Sequence, residues 1–292
     1  GPTDPDSARG VSSGYRRGMT RLVCTGDSFT EGMSDEPRPD GRHLGWSDRV
    51  AEGLAADTSG VAAAPVTYAN LAIRGKLLDQ VVAEQMGPAI ALGPDIVTFH
   101  AGANDVLRPG TDIADLYARY DAAVEQLTAT GARVVLFTAL ARAGGSGRFA
   151  DRLEQQFHAF NRHIRIAAAD HGATLIDLEA IHALTDRRFW APDRLHLNEM
   201  GHARVAAAVL AGLGVTDPAV LGGPVGWWAE PLPPAEPRSR RDDLAADAEW
   251  IRVHLIPWVG RRIRRVSSGD GLTPKERHPR EITPARHDRT TA

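Results

Sequence analysis

Arg21-Leu22-Val23-Cys24-Thr25-Gly26-Asp27-Ser28-Phe29-Thr30 decides how the rest of the chain is read. Its centre, Leu22-Val23-Cys24, is continuously apolar. It therefore reads as a strand covered on both faces and not as a half-exposed one, which would alternate. Gly26 ends the strand, and a serine follows where the next helix would begin. A strand running through a glycine turn into a helix is the unit from which parallel α/β sheets are built.

The same unit recurs along the chain. Residues 66–69, 95–99, 133–137 and 174–177 read as four further short strands. Between them, apolar residues fall at helical spacing: Trp46, Val50, Leu54 and Ala55, then Leu77, Leu78, Val81, Val82 and Met86. Ile113, Leu116, Tyr120, Val124 and Leu127 follow, then Phe149, Leu153, Phe157, Phe160 and Ile164, and an Ala-rich helix spans 199–213. The alternation predicts an α/β protein with a five-stranded parallel sheet between two helical layers. In such sheets ligands sit beyond the carboxyl ends of the strands, so chemistry-bearing residues are expected there.

Composition narrows the reading further. The chain has 292 residues and 42% hydrophobic content, enough for one large domain with an appendage. Cys24 is the single cysteine, so no intramolecular disulfide forms and no oxidising compartment is required. No apolar run approaches the roughly 20 residues of a membrane helix, and the N-terminus lacks an apolar signal core. A cytoplasmic location is the default expectation. The domain plan reads as a flexible lead-in over 1–19, a catalytic-type domain over 20–214 and a Pro/Gly-rich linker over 215–240. An amphipathic basic helix over 241–266 and a disordered tail over 267–292 complete it. Gly1-Pro2 has the look of a tag-cleavage scar, and Met19 that of a natural start.

The net charge is −3, but residues 238–292 carry 13 Lys/Arg against 8 Asp/Glu. A mildly acidic body with a basic tail does not describe a nucleic-acid binder. For residues 243–266 two partners stay open. The helix packs Trp250, Ile256 and Trp258 onto the domain or a second subunit, or it lies on an anionic membrane surface. Pro257 is expected to kink it in either case.

Four places at predicted strand ends carry chemistry. Ser28 after the first strand is either a nucleophile at a helix N-terminus or a helix-capping residue. Gly75, in the turn after the second strand, either offers an unobstructed backbone N–H or is an ordinary turn glycine. Asn104 after the third strand is an amide donor or an Asx-turn residue, and Asp105 beside it reads as a cap. Asp193 and His196, three residues apart before the last helix, can pair so that the carboxylate fixes the imidazole tautomer. No histidine cluster has metal-ligand spacing, and no Gly-rich loop fits a phosphate or dinucleotide. Cys24 reads as a small buried strand residue.

Taken together, these blocks resemble the SGNH (GDSL-type) hydrolase superfamily over about residues 20–214. Gly26-Asp27-Ser28 is similar to its Gly-Asp-Ser block and implies Ser28 as nucleophile. Gly75 and Gly102-Ala103-Asn104-Asp105 correspond to its second and third blocks. They imply an oxyanion hole of the Ser28 and Gly75 backbone N–H groups and the Asn104 amide. Asp193-Arg194-Leu195-His196 is similar to the Asp-x-x-His block and implies Asp193 and His196 as the rest of a triad. Phe29 stands where the family name has leucine. The resemblance implies a flavodoxin-like three-layer α/β/α sandwich, no metal and no organic cofactor.

The expected function is hydrolysis of a small-molecule, carbohydrate or lipid ester through an acyl-enzyme, with a short acyl group. The stretches 33–44 and 141–149 read as loops bordering the pocket and not as a lipid-binding lid. Acyl transfer by the same triad and a non-catalytic binding module of the same fold are the alternatives.

Overall fold

The computed structural model describes residues 18–140, 148–263 and 266–284. Five parallel strands form the centre: β1 (Thr20–Gly26), β2 (Val66–Asn70), β3 (Ile96–His100), β4 (Arg133–Phe137) and β5 (Thr174–Ile176). A sixth, β6 (Glu276–Ile282), pairs antiparallel with β2, so the sheet order is β5-β4-β3-β1-β2-β6. The α/β sandwich expected from the alternation is present, with one strand more than the pattern foretold.

Side chains alternate between two cores because successive strand residues point to opposite faces. Leu22, Cys24, Ile96, Val135 and Phe137 face helices 45–56 and 199–213, packing with Trp46, Val50, Leu54, Val205 and Val209. Val97, Phe99, Val134 and Leu136 face the other way, toward Leu116, Tyr120 and Val124 of helix 113–128 and Phe157, Phe160 and Ile164 of helix 148–170. The strands are buried on both sides, which is why they read as continuous apolar runs. Cys24 is wholly buried, and burial pushes its thiol up to about 12. It is an inert core residue.

The C-terminal third departs from the expected plan. Residues 215–240 are not a free linker. Val215 and Leu221 are buried, and Arg204 donates to the Trp227 and Trp228 carbonyls at 3.2 and 2.9 Å. The Arg204 guanidinium also sits 4.5 Å from the Phe189 ring centroid, so this Pro/Gly-rich stretch is tied to the domain by Arg204 as well as by its own buried residues. Helix follows over 240–250 and 256–263, joined by a π-helical turn at Ile251–Leu255. Pro257 lacks an N–H and crowds the preceding turn, and the wider turn just before it absorbs that misfit. Trp250 packs on the domain, one of the alternatives left open for this helix. Ile256, expected to pack with it, stays 60% exposed. The side chain of Trp258 lies outside the described residues.

The tail expected to be disordered over 267–292 instead contains β6, fixed to β2 by a backbone ladder and to the core by buried Ile282. Lys275, just before it, is buried against Asp48 and donates to the His43 and Leu44 carbonyls at 3.1 and 2.7 Å. Residues 285–292 lie outside the described region.

Candidate active site

Three strand ends deliver the first residues of the site. β1 ends at Gly26, whose φ of +145° and proximity to the His100 carbonyl leave no room for a side chain: a Cβ there would lie 2.5 Å from that oxygen. Gln85 clamps the turn by accepting from the Gly26 N–H and donating to its carbonyl, at 2.8 and 2.9 Å. Ser28 then opens the short helix Ser28–Glu31. The cap is Asp27, whose carboxylate accepts the Phe29 N–H at 3.1 Å. Of the two readings of this turn, the capping role falls to Asp27, not to Ser28.

The turn bearing Gly75 is tied to that helix. Glu31 accepts the Arg74 N–H at 2.7 Å and the Arg74 Nε–H at 3.0 Å. On the other side, Asn104 Nδ2 donates to the Lys76 carbonyl at 3.0 Å and makes a longer contact, 3.4 Å, to Asp27. Gly75 has φ +76°, and a Cβ there would lie 2.2 Å from Ser267 Oγ. Ser28, Gly75 and Asn104 are thus held in mutual register by Glu31, Arg74 and the Lys76 carbonyl. Asp105 is the cap-type residue expected, accepting the Leu78 N–H at 2.9 Å.

Asp193 and His196 sit on a tight turn before helix 199–213. Asp193 Oδ1 accepts the Leu195 and His196 N–H groups at 2.9 and 3.1 Å, and Oδ2 lies 2.6 Å from His196 Nδ1. Burial alone would raise the Asp193 carboxyl. The His196 imidazole and the two backbone N–H groups outweigh it and hold it at about 2. An ionised carboxylate only accepts, so His196 Nδ1 carries the proton and Nε2 is left as the basic nitrogen. The turn places Arg194 at φ +58°, a left-handed conformation that non-glycine residues seldom adopt. Arg194 is fixed there by Asp247 at 2.7 Å and by the Trp250 ring, 4.9 Å from its guanidinium.

Ser28, Gly75, Asn104, Asp193 and His196 all line one cavity of about 400 Å³. All five residues singled out in the sequence therefore meet at the carboxyl edge of the sheet. Among the described residues Ser28 and His196 share this cavity without a direct hydrogen bond, a contact that commonly tightens only with substrate present. Leu107, Leu140, Phe157, Trp190 and Leu197 form its apolar wall. Of the loops expected to border it, 33–44 contributes Met33, and 141–147 lie outside the described residues.

Sequence reading missed several members. His100 ends β3, lies 3.2 Å from Asp27 Oδ1 and packs its ring 4.5 Å from Phe29. His202 is buried, and burial pushes it down to about 4, so it is a neutral spacer that accepts the Trp46 N–H at 3.2 Å and reaches the Met33 carbonyl at 3.0 Å. His254 and Arg261 arrive from the C-terminal helices. A histidine at the last position of a strand was the one available signal, for His100.

Among solved structures, a catalytic mutant of Axe2, an acetylxylan esterase from Geobacillus stearothermophilus, superposes with a TM-score of 0.56 at 20% identity. That match covers 67% of this chain and 94% of the other. The acetyl xylan esterase AlAXEase gives 0.52 at 22% identity, over 65% and 98%. TesA gives 0.54 at 20%, over 67% and 98%. At these identities the likeness is one of fold. No curated protein matches the sequence significantly. Residues 24–204 match the profile of the GDSL-like lipase/acylhydrolase family. That span is more than half of the chain and holds all five residues, so the chain belongs to the GDSL-like lipase/acylhydrolase family.

Proposed function

We propose that the protein is a serine esterase that hydrolyses a small ester through an acyl-enzyme on Ser28. The observation that carries the reading is Asp193 Oδ2, 2.6 Å from His196 Nδ1, in a cavity shared with Ser28, Gly75 and Asn104. His196 Nε2 takes the Ser28 proton as Oγ attacks the ester carbonyl. The oxyanion is received by the Ser28 and Gly75 N–H groups and by the Asn104 amide, whose long contact to Asp27 is the one it displaces. Collapse expels the alcohol, which takes the proton from His196. A water then repeats the sequence on the acyl-enzyme, giving the acid and restoring Ser28.

A cavity of about 400 Å³ is at the small end of ligand sites and must hold both halves of the ester. That favours a short acyl group. Acetyl, named for the acetylxylan esterases of the same fold, is the first to test. The test is a panel of p-nitrophenyl esters from acetyl to palmitoyl, run on the wild type and on Ser28→Ala. Turnover is expected to be highest for the short esters and to vanish in the variant. Full activity in Ser28→Ala overturns the reading, and a palmitoyl optimum overturns the short acyl group.

A further inference from the structure

The α/β domain does not close the cavity alone. Val253, His254, Pro257, Arg261 and Ser268 also line it, and all five lie beyond residue 204, where the family match ends. The segment that brings them is anchored on both sides of the cavity. On one side Trp250 Nε1–H donates to the Asp193 carbonyl at 2.8 Å, and Asp247 pairs with Arg194 at 2.7 Å. On the other, Lys275 is buried on Asp48 and β6 is laddered to β2. The helical run 251–263 is therefore held across the mouth of the site.

The charged side chains around the cavity differ in whether they have partners. Its two carboxylates are engaged, Asp27 with Phe29 N–H and His100, and Asp193 with His196. Of its two arginines, Arg74 is neutralised by Glu31. Arg261, an exposed side chain lining the cavity, makes no ion pair among the described residues. An arginine at the edge of a substrate cavity that no described carboxylate pairs with is placed to receive a substrate anion. We infer that Arg261 binds an anionic oxygen group on the ester, so that the C-terminal segment selects the substrate while the family domain supplies the chemistry. The inference rests on Ser28 as nucleophile.

Two matched substrate pairs test it in the full chain. p-Nitrophenyl hydrogen succinate against p-nitrophenyl butyrate puts the charge on the acyl side. 4-Acetoxybenzoate against its methyl ester puts it on the alcohol side. In one pair kcat/KM for the anionic member is expected to exceed that of the neutral member by about tenfold, and added salt should shrink the ratio. Arg261→Gln should bring the ratio near one, and Arg261→Lys should retain part of it. Arg252→Gln is the control. That residue is on the same segment, paired with Glu249 outside the cavity, and its change should leave the ratio intact. Because each result is a ratio within one protein, a general loss of folding does not imitate it. Absence of preference in both pairs for the wild type, or an unchanged ratio in Arg261→Gln, overturns the inference. Turnover persisting in Ser28→Ala overturns the nucleophile assignment instead.

Discussion

Asp193 uses its two oxygens for two tasks: Oδ1 shapes the turn and Oδ2 orients the imidazole. Its carboxyl, ordinarily near 3.8, is held at about 2, so the folded state favours the ionised form. A lowered folded-state value adds stability that is complete above the unfolded value and disappears as pH falls through the folded one. The window runs from about pH 5 down to about pH 2, and the amount is about 2 kcal/mol. Asp193→Asn should thus be less stable than the wild type at pH 6, with much of the gap gone at pH 2.5, as read by urea unfolding at both. In kinetics, His196→Ala should lose several orders of magnitude in kcat. Asn104→Ala should lose about a hundredfold in kcat with little change in KM, as the proposed oxyanion role of its amide requires. These residues were legible in the sequence because they occur together, four blocks in order along the chain, although each alone has an ordinary turn or cap reading. Arg261 and His254 were not, because nothing local tells a helical side chain which cavity it will overhang.

At the level of elements, the five parallel strands and the helix Glu199–Leu213 were readable because two-sided burial leaves only apolar residues to choose from. β6 escaped for the opposite reason. Its sequence, Glu276-Arg277-His278-Pro279-Arg280-Glu281-Ile282, has a single buried apolar residue and a proline, both acceptable only on an edge. Backbone pairing holds such a strand, and composition does not report it. Lys275 before it makes the join. Burial dominates both partners, raising the Asp48 carboxyl and lowering the Lys275 amine, so each charge is penalised for leaving water despite its partner. The pair therefore contributes specificity of docking more than net stability. Lys275→Ala, which leaves buried Asp48 only the longer contacts to Arg38 and the Tyr68 hydroxyl, both at 3.3 Å, should cost about 3 kcal/mol. The double change Asp48→Leu with Lys275→Met should cost clearly less. Denaturant midpoints of the three proteins decide, and equal losses in both variants would refute the argument.

Over the whole molecule, residues from Ser28 to His196 supply the five candidate site residues, and the last third adds residues to the cavity lining and covers the β2 edge. An uncovered edge is a template for pairing with another chain. A protein ending before Arg240 should consequently self-associate in size-exclusion chromatography, while the full chain elutes at a smaller size. If the shortened protein elutes as a well-behaved monomer, β6 is not what protects that edge. No helix among the described residues is long and apolar enough to cross a membrane. The antiparallel strand also sets a clock. About 200 residues separate β2 from β6, and a ribosome adds roughly 5–20 residues per second. For on the order of 10–40 s during each round of synthesis, β2 therefore waits beside β1 with its outer hydrogen-bonding groups unpaired. Translation speed over those roughly 200 residues thus sets how long that edge stays open in the nascent chain.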